Sequence, residues 1–201
     1  MQKFSRWVLL IGLCGVVVST ALLLQSPLSA TTVVQAQAKP FELTSKSLDA
    51  NGVFKTEQVA NSFGCTGGNL SPELNWSGVP DGTKSFGLSV YDLDAPTGSG
   101  FWHWVVANIP AAVTELPLGA GDPAAGVLKA PAVQVRTDFS KPGYGGPCPP
   151  QGDHPHRYLF TVYAVGGELQ VTPDTSAAVV GFQLHFNTLA KATLMGLFKR
   201  A

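Results

Sequence analysis

The chain has 201 residues with 13 basic and 13 acidic side chains, and 45% of its residues are hydrophobic. Charged residues make up only 13%, about half the usual fraction. The sequence has no run of lysine and arginine, so it lacks the electrostatic pattern of a nucleic-acid-binding protein. The length is sufficient for one domain with a substantial hydrophobic core.

The N-terminal segment has the composition of an export signal. Lys3 and Arg6 precede an apolar run over residues 7–24, and the small-residue sequence AQA ends at Ala38. A basic region, an apolar core and a small-residue cleavage site occur in this order in secretory signal peptides. We therefore predict that residues 1–38 are a cleaved signal peptide.

The predicted mature chain is one domain over residues 39–201 in the periplasm or outside the cell. Cleavage after Ala30 is an alternative to cleavage after Ala38. The apolar run is also close to membrane-spanning length, so an uncleaved N-terminal anchor is the other alternative for this segment. After cleavage we expect no stable insertion into a membrane.

Two cysteines, Cys65 and Cys148, follow the predicted cleavage site. In an oxidising compartment a cysteine pair favours a disulfide. The competing interpretation is a nucleophilic thiol at Cys148 activated by a nearby histidine. A free thiol in an exported protein is prone to oxidation, and this favours the disulfide.

Three segments alternate between apolar and polar or small residues with a period of two. They are SFGLSVYDL at 85–93, FWHWVVANI at 101–109 and HRYLFTVYAV at 156–165. Their aromatic and β-branched content is typical of buried strands. Strict alternation separates the side chains of the middle segment into two faces: Trp102, Trp104 and Val106 on one, and Phe101, His103 and Val105 on the other.

Helical periodicity appears near the C-terminus, after the segment TPDTSAAVV at 172–180. Asp174 or Thr175 is placed to cap the start of a helix. One helical face is predicted to carry Phe182, Phe186, Leu189, Thr193 and Leu197. The chain as a whole predicts a mainly β protein, an antiparallel β-sandwich with one or two C-terminal α-helices.

The segment GYGGPCPPQGDHPHRY at 143–158 contains four prolines and four glycines. Proline stiffens such a segment, and glycine allows successive backbone N–H groups to turn toward an anion. Where the segment enters the next strand, the period of two places His156 beside Tyr158 and turns Arg157 away.

Two aspartates end the strand that precedes His103. The period of two predicts that Asp92 and Asp94 share a face. A histidine in a core strand is more often a packed residue than a ligand. A buried aspartate beside it favours the imidazolium form, however, and the pair can then form the charged floor of an anion pocket.

These segments carry a resemblance to a known family. Residues 92–110 and 143–158 resemble the two signature segments of phosphatidylethanolamine-binding proteins, also called Raf-kinase-inhibitor-like proteins, in their bacterial-type branch. GGNLSPELNWSGVP at 67–80 and GFQLHFNTLAKA at 181–192 are similar as well. The resemblance covers roughly residues 41–200 and implies a β-sandwich with a small anion pocket.

The resemblance also implies which residues line that pocket and what it binds. The matching positions are Asp92, Asp94, Pro96, His103, Gly146, His156 and Tyr158. The implied ligands are phosphate-like anions or phospholipid headgroups, and the Ala95–Pro96 bond corresponds to a bond that is cis in relatives. Leu93 stands where the family usually has proline, and Cys148 replaces a glycine of eukaryotic relatives.

We expect a binding protein without a cofactor, and not an enzyme. The first alternative is an inhibitor or regulator of another protein, of the kinase- or protease-inhibitor kind. A His/Asp hydrolase ranks lower, because no G-x-S-x-G motif is present. A metal site ranks last; its candidate ligands are Asp92, His103, His154 and His156. Pro155 argues against a shared orientation of the last two, and we assign His154 to a loop and His185 to helix packing.

Overall fold

The computed structural model describes residues 39–200. The signal peptide and the alternative anchor, predicted over residues 1–38, lie outside the described residues. Among the described helices, none has both the length and the hydropathy needed to cross a membrane.

Within residues 39–200, eight strands form two antiparallel sheets. The strands are β1 (Glu42–Thr44), β2 (Leu74–Ser77), β3 (Ser85–Asp92), β4 (Phe101–Pro110), β5 (Glu115–Leu116), β6 (Val133–Gln134), β7 (His156–Val165) and β8 (Thr188–Phe198). The small sheet has the order β1-β2-β5, and the large sheet has the order β6-β4-β3-β7-β8. Two short 3₁₀ helices, Thr56–Gln58 and Pro123–Ala125, lie in the connections.

The main core lies between the two sheets. Leu74 and Trp76 of β2 pack there against Phe86 of β3 and Phe160 of β7. All four side chains are at most 4% exposed. Each sheet thus buries one face against the other, which is the packing of a β-sandwich, and the predicted fold class is confirmed.

The helix α1 (Ala177–Asn187) covers the other face of the large sheet. Its buried residues Val180 and Leu184 pack against Val105 of β4. Ser176 caps the helix by accepting a hydrogen bond from the backbone of Val179, so the cap is one residue beyond the predicted Thr175. The large sheet is buried on both faces, which explains why β3 is buried at seven of its eight positions.

The predicted helical face is wrong beyond Asn187. The helix ends there, and Leu189, Thr193 and Leu197 belong to β8, which pairs with β7 along the whole of that strand. Long-range backbone pairing with an otherwise open sheet edge outweighs the local helical pattern of this segment.

A β-bulge at His103 interrupts the alternation of β4. Val90 pairs with Trp104 and the next residue, Tyr91, pairs with Trp102, which leaves His103 without a partner on β3. A bulge of this kind shifts the side-chain alternation by one residue. Trp104 accordingly lies in the core between the sheets, whereas Trp102 packs on the helix side. The prediction that both tryptophans share one face is therefore wrong.

A disulfide joins Cys65 to Cys148 across 83 residues of sequence. The bond connects the loop after the first 3₁₀ helix to the proline-rich segment before β7. The competing interpretation of a free thiol at Cys148 does not apply to this structure.

Removing the disulfide should destabilise the protein. Closing a long loop restricts the unfolded chain, and the double variant Cys65→Ser/Cys148→Ser is expected to lose roughly 3–5 kcal/mol of unfolding free energy. Urea denaturation of wild type and variant measures this difference. Alkylation of the denatured wild-type mature protein is a second test: the reagent should modify Cys65 and Cys148 only after reduction. Equal stability, or alkylation without reductant, would contradict the expectation.

Candidate functional site

A cavity of about 200 Å³ opens where the ends of three neighbouring strands meet. Asp92 is the last residue of β3, and it pairs with Phe101 at the start of β4 and with Tyr158 near the start of β7. The polar part of the cavity is formed by Asp92, His103, His156 and Tyr158. The remaining lining residues are Phe63, Ala95, Pro96, Thr97, Phe101, Phe139, Gly146, Cys148, Pro149 and Pro150.

His156 lies between two carboxylates. Its Nδ1 is 2.8 Å from Oδ2 of Asp92, and its Nε2 is 3.3 Å from Oδ2 of Asp153. Burial acts to lower the pKa of His156, but the hydrogen bonds to the two aspartates outweigh it and the pKa is raised. Both ring nitrogens then donate, as the protonated ring requires.

His103 has the opposite electrostatic environment. Its Nδ1 lies 2.7 Å from the carbonyl oxygen of Gly145, and its Nε2 is 4.0 Å from Oδ2 of Asp92. Burial lowers the pKa of His103, and the nearby carboxylate only partly offsets that effect. A carbonyl can only accept, so Nδ1 carries the proton of the neutral ring and Nε2 keeps a free lone pair. The imidazole that Asp92 holds charged is thus that of His156.

The hydroxyl of Tyr158 has no hydrogen-bond partner among the described residues. The residue is 1% exposed, and burial together with the nearby carboxylate of Asp92 raises the pKa of its hydroxyl. Its ring lies 5.1 Å from that of His103. A buried unpaired hydroxyl is rare and costly in a native structure, so this donor is free to meet a ligand in the cavity.

Asp94 does not line the cavity. Its carboxylate accepts hydrogen bonds from the backbone N–H, Nε and Nη2 of Arg157, at 2.8, 2.9 and 2.8 Å. These hydrogen bonds to Arg157 hold the pKa of Asp94 well below its usual range. Because β3 ends at Asp92, the chain turns there and the alternation does not carry Asp94 onto the cavity face. Asp94 instead fixes the start of β7.

Two glycines of the loop do not present their N–H groups to the cavity. Gly145 donates its N–H to the carbonyl of His103, and Gly146 donates to Oδ1 of Asn69. A β-carbon at Gly146 would overlap the backbone of residues 58–60. Glycine is therefore required here for close packing of the chain, and the loop acts by holding His103 in place.

The peptide bond before Pro96 also differs from the expectation. Pro96 lines the cavity, but within the described residues the cis bond is that of Ala130–Pro131. The expectation that Ala95–Pro96 corresponds to a cis bond is wrong for this structure.

The two remaining histidines are both exposed. The ring of His154 lies 5.4 Å from that of His156. His154 precedes β7, as Pro155 indicated, yet its ring neighbours that of His156, so the prediction that the two histidines do not share an orientation is wrong. His185 is on the solvent side of α1 and contacts the ring of Phe186, so its assignment to helix packing is wrong as well.

Three further residues shape the site and were not predicted from the sequence. The ring of Phe139 packs against that of His103 with the ring centroids 5.3 Å apart. Phe63 forms part of the cavity wall, although 73% of its surface is exposed. Neither lies in a recognisable motif. Asp153 lay within the quoted glycine- and proline-rich segment; hydrogen bonds from His154 lower its pKa to about 2. An acidic residue three positions before His156 was the available signal.

The arrangement is suited to binding a small group that accepts hydrogen bonds. The carboxylate of Asp92 and both nitrogens of His156 are occupied by each other and by Asp153. Among the polar side chains that line the cavity, the groups left for a ligand are the hydroxyl of Tyr158 and Nε2 of His103, and aromatic and proline side chains complete the lining.

Comparison with known proteins places this geometry in a family. Residues 44–199 match the family model described as phosphatidylethanolamine-binding protein. The protein YbcL of Escherichia coli (strain K12) is 48% identical over 88% of this chain and 97% of its own length. YbhB of the same organism is 46% identical over 78% of this chain and 99% of its own.

Two solved structures support the same family assignment. The crystal structure of YbcL, described as a new member of the mammalian PEBP family, superposes with a TM-score of 0.77 over 80% of this chain and 99% of that one. A putative phosphatidylethanolamine-binding protein homologue from Chlamydia trachomatis is 29% identical, with a TM-score of 0.67 over 80% and 98% of the two chains. The chain therefore belongs to the phosphatidylethanolamine-binding protein family.

Proposed function

We propose that the chain is an exported, non-catalytic binding protein whose cavity holds a phosphate-type anion, either free or as a phospholipid headgroup. The observation that carries this proposal is the unpaired buried hydroxyl of Tyr158, whose ring packs against that of His103 at a centroid distance of 5.1 Å. Both residues line one cavity, and within residues 39–200 neither the Tyr158 hydroxyl nor Nε2 of His103 makes a hydrogen bond within 3.5 Å.

The chemistry of the two groups favours an anion. The hydroxyl of Tyr158 can donate to a phosphate oxygen, and His103 can donate through Nε2 once that atom is protonated. Walls formed by Phe101 and Phe139 keep the local dielectric constant low, which strengthens these interactions. The raised pKa of His156 keeps a positive charge close to the carboxylate of Asp92, so that carboxylate repels an anion less.

The dimensions favour a headgroup over a whole lipid. Pockets for drug-sized ligands enclose about 300–1,000 Å³, and this cavity encloses about 200 Å³. A phosphate with a short substituent matches that volume. Longer substituents would extend past the rim, where Phe63 and Pro150 present apolar surface.

We propose binding without turnover because the one thiol at the cavity is blocked. The sulfur of Cys148 is bonded to Cys65, so it is not available as a nucleophile. Export is supported by the same bond, because disulfides persist in oxidising compartments.

Binding should weaken as pH rises, and His103 should be the reason. The groups that face its ring are Asp92 of β3, Tyr158 of β7 and the more distant Asp138. In the free protein the pKa of His103 is lowered, and a bound anion raises it by favouring the charged ring. Between these two pKa values binding takes up one proton, so affinity should fall about tenfold per pH unit.

Calorimetric titration with glycerophosphoethanolamine from pH 5.5 to 8.5, in the presence of chelator, measures this dependence. The phosphodiester of this probe keeps its charge over the range, so a change in affinity reports on the protein. His103→Gln should bind roughly ten- to a hundredfold more weakly and lose the pH dependence, while His185→Ala should match wild type. Affinity that rises with pH, or an unchanged His103→Gln variant, would refute the model.

Tyr158→Phe should separate binding from stability. The substitution removes only the hydroxyl, whose desolvation is uncompensated in the free protein, so the unfolding free energy should stay equal or increase. Affinity for the same probe should fall roughly ten- to a hundredfold. Thermal unfolding and calorimetry on one preparation give both values. Undiminished affinity in a stable Tyr158→Phe variant would show that the hydroxyl does not contact the ligand.

The mature chain should begin near Lys39. Removal of the predicted signal peptide leaves 11 basic and 13 acidic residues, because Lys3 and Arg6 are lost. N-terminal sequencing and intact mass of the protein from periplasmic and culture fractions locate the cleavage site. A new N-terminus directly after Ala30 would select the alternative site. Recovery of the full chain in the membrane fraction would select the anchor and contradict export.

A further inference from the structure

We propose a second binding site beside the cavity, for a divalent transition metal ion of the zinc type, formed by Asp153, His154 and His156. Each of the three offers one ligand atom, and these atoms lie within 4.8 Å of one another. The set is a carboxylate with two imidazoles, which suits zinc and its neighbours better than calcium or magnesium.

Hydrogen bonds join the atoms that would bind the metal, so protons occupy the position that the ion would take. Nδ1 of His154 is 2.8 Å from Oδ1 of Asp153, and Nε2 of His156 is 3.3 Å from Oδ2 of the same carboxylate. Ligand bonds of about 2.0–2.2 Å around a tetrahedral ion separate neighbouring ligand atoms by about 3–3.5 Å. The carboxylate and both nitrogens therefore need only small rotations to share one ion.

Each candidate imidazole also has a carboxylate near its other nitrogen. Nδ1 of His156 is 2.8 Å from Asp92, and Nε2 of His154 is 3.8 Å from Asp94. Metal-binding histidines usually interact with a carboxylate in this way, which fixes the ring and increases its basicity as a ligand. Asp94 is itself held by Arg157, so both supporting carboxylates have fixed positions.

The backbone restricts the three ligands as well. His156 is the first residue of β7 and is 1% exposed. Pro155 stiffens the link between the two histidines, while Asp153 and His154 face solvent and leave a path for the ion. Three protein ligands leave one tetrahedral position open. Because His156 also lines the cavity, an ion bound here would add positive charge at its edge.

Titration of the mature protein with zinc chloride, followed by calorimetry, tests the site directly. We expect one ion per chain. His154→Ala and Asp153→Asn should each weaken zinc binding by at least the roughly 10–100-fold that follows loss of a supporting residue. His185→Ala removes another exposed histidine and is the matched control. Titration with cobalt chloride should give the visible absorption of a four-coordinate ion in wild type and in the control.

The outcomes separate this proposal from the anion site. His154 is outside the anion-binding pair and outside the cavity lining, so His154→Ala should keep the affinity of wild type for glycerophosphoethanolamine measured in chelator. Zinc affinity that is the same in wild type, His154→Ala and Asp153→Asn would refute the metal site, as would loss of binding in His185→Ala. Failure of headgroup binding with intact, variant-sensitive zinc binding would refute only the proposed function.

Discussion

The buried hydrogen bond between Asp92 and His156 is the interaction on which the rest of the site depends. It joins the last residue of β3 to the first residue of β7 at 2.8 Å, with both side chains at most 5% exposed. The other oxygen of Asp92 accepts the N–H of Asp94 at 2.9 Å and fixes the turn that ends the strand. Loss of one partner from a buried charged pair costs about 3–5 kcal/mol, so this contact constrains fold and site together.

The two neighbouring histidines differ because their partners differ. His156 meets two carboxylates, and these raise its pKa despite burial. His103 meets a carbonyl through Nδ1 and aromatic rings around its edges, so burial dominates and its pKa is lowered. The bulge in β4 produces this second environment, because it turns His103 toward Tyr158 while Trp102 packs on the opposite side.

The sequence was informative where a pattern of residues has one physical solution. Alternation in β3 and β7 predicted the buried strands, and the signature segments led to His103, His156 and Tyr158, which do converge on one cavity. Prediction from the sequence failed where a residue far away in the chain determines the local conformation. Whether Asp94 faces the cavity depends on Arg157, and the helical pattern after Asn187 yields to pairing with β7. Sequence periodicity reports only on neighbouring residues, and both of these interactions join segments that are far apart in the chain.

The mouth of the cavity shows why segments far apart in sequence must cooperate. Phe63 has a positive φ of 53°, and its mostly exposed ring packs on that of Phe139 at a centroid distance of 6.1 Å. Its carbonyl and that of Gly64 accept hydrogen bonds from the guanidinium of Arg200 at 3.2 and 2.9 Å. The disulfide of Cys148 joins the same loop one residue beyond Gly64. The side chain of Arg200 and the disulfide thus hold this part of the cavity wall, which is formed by a loop and not by a strand. The polar residues at the base of the cavity can therefore remain rigid although loops form its rim.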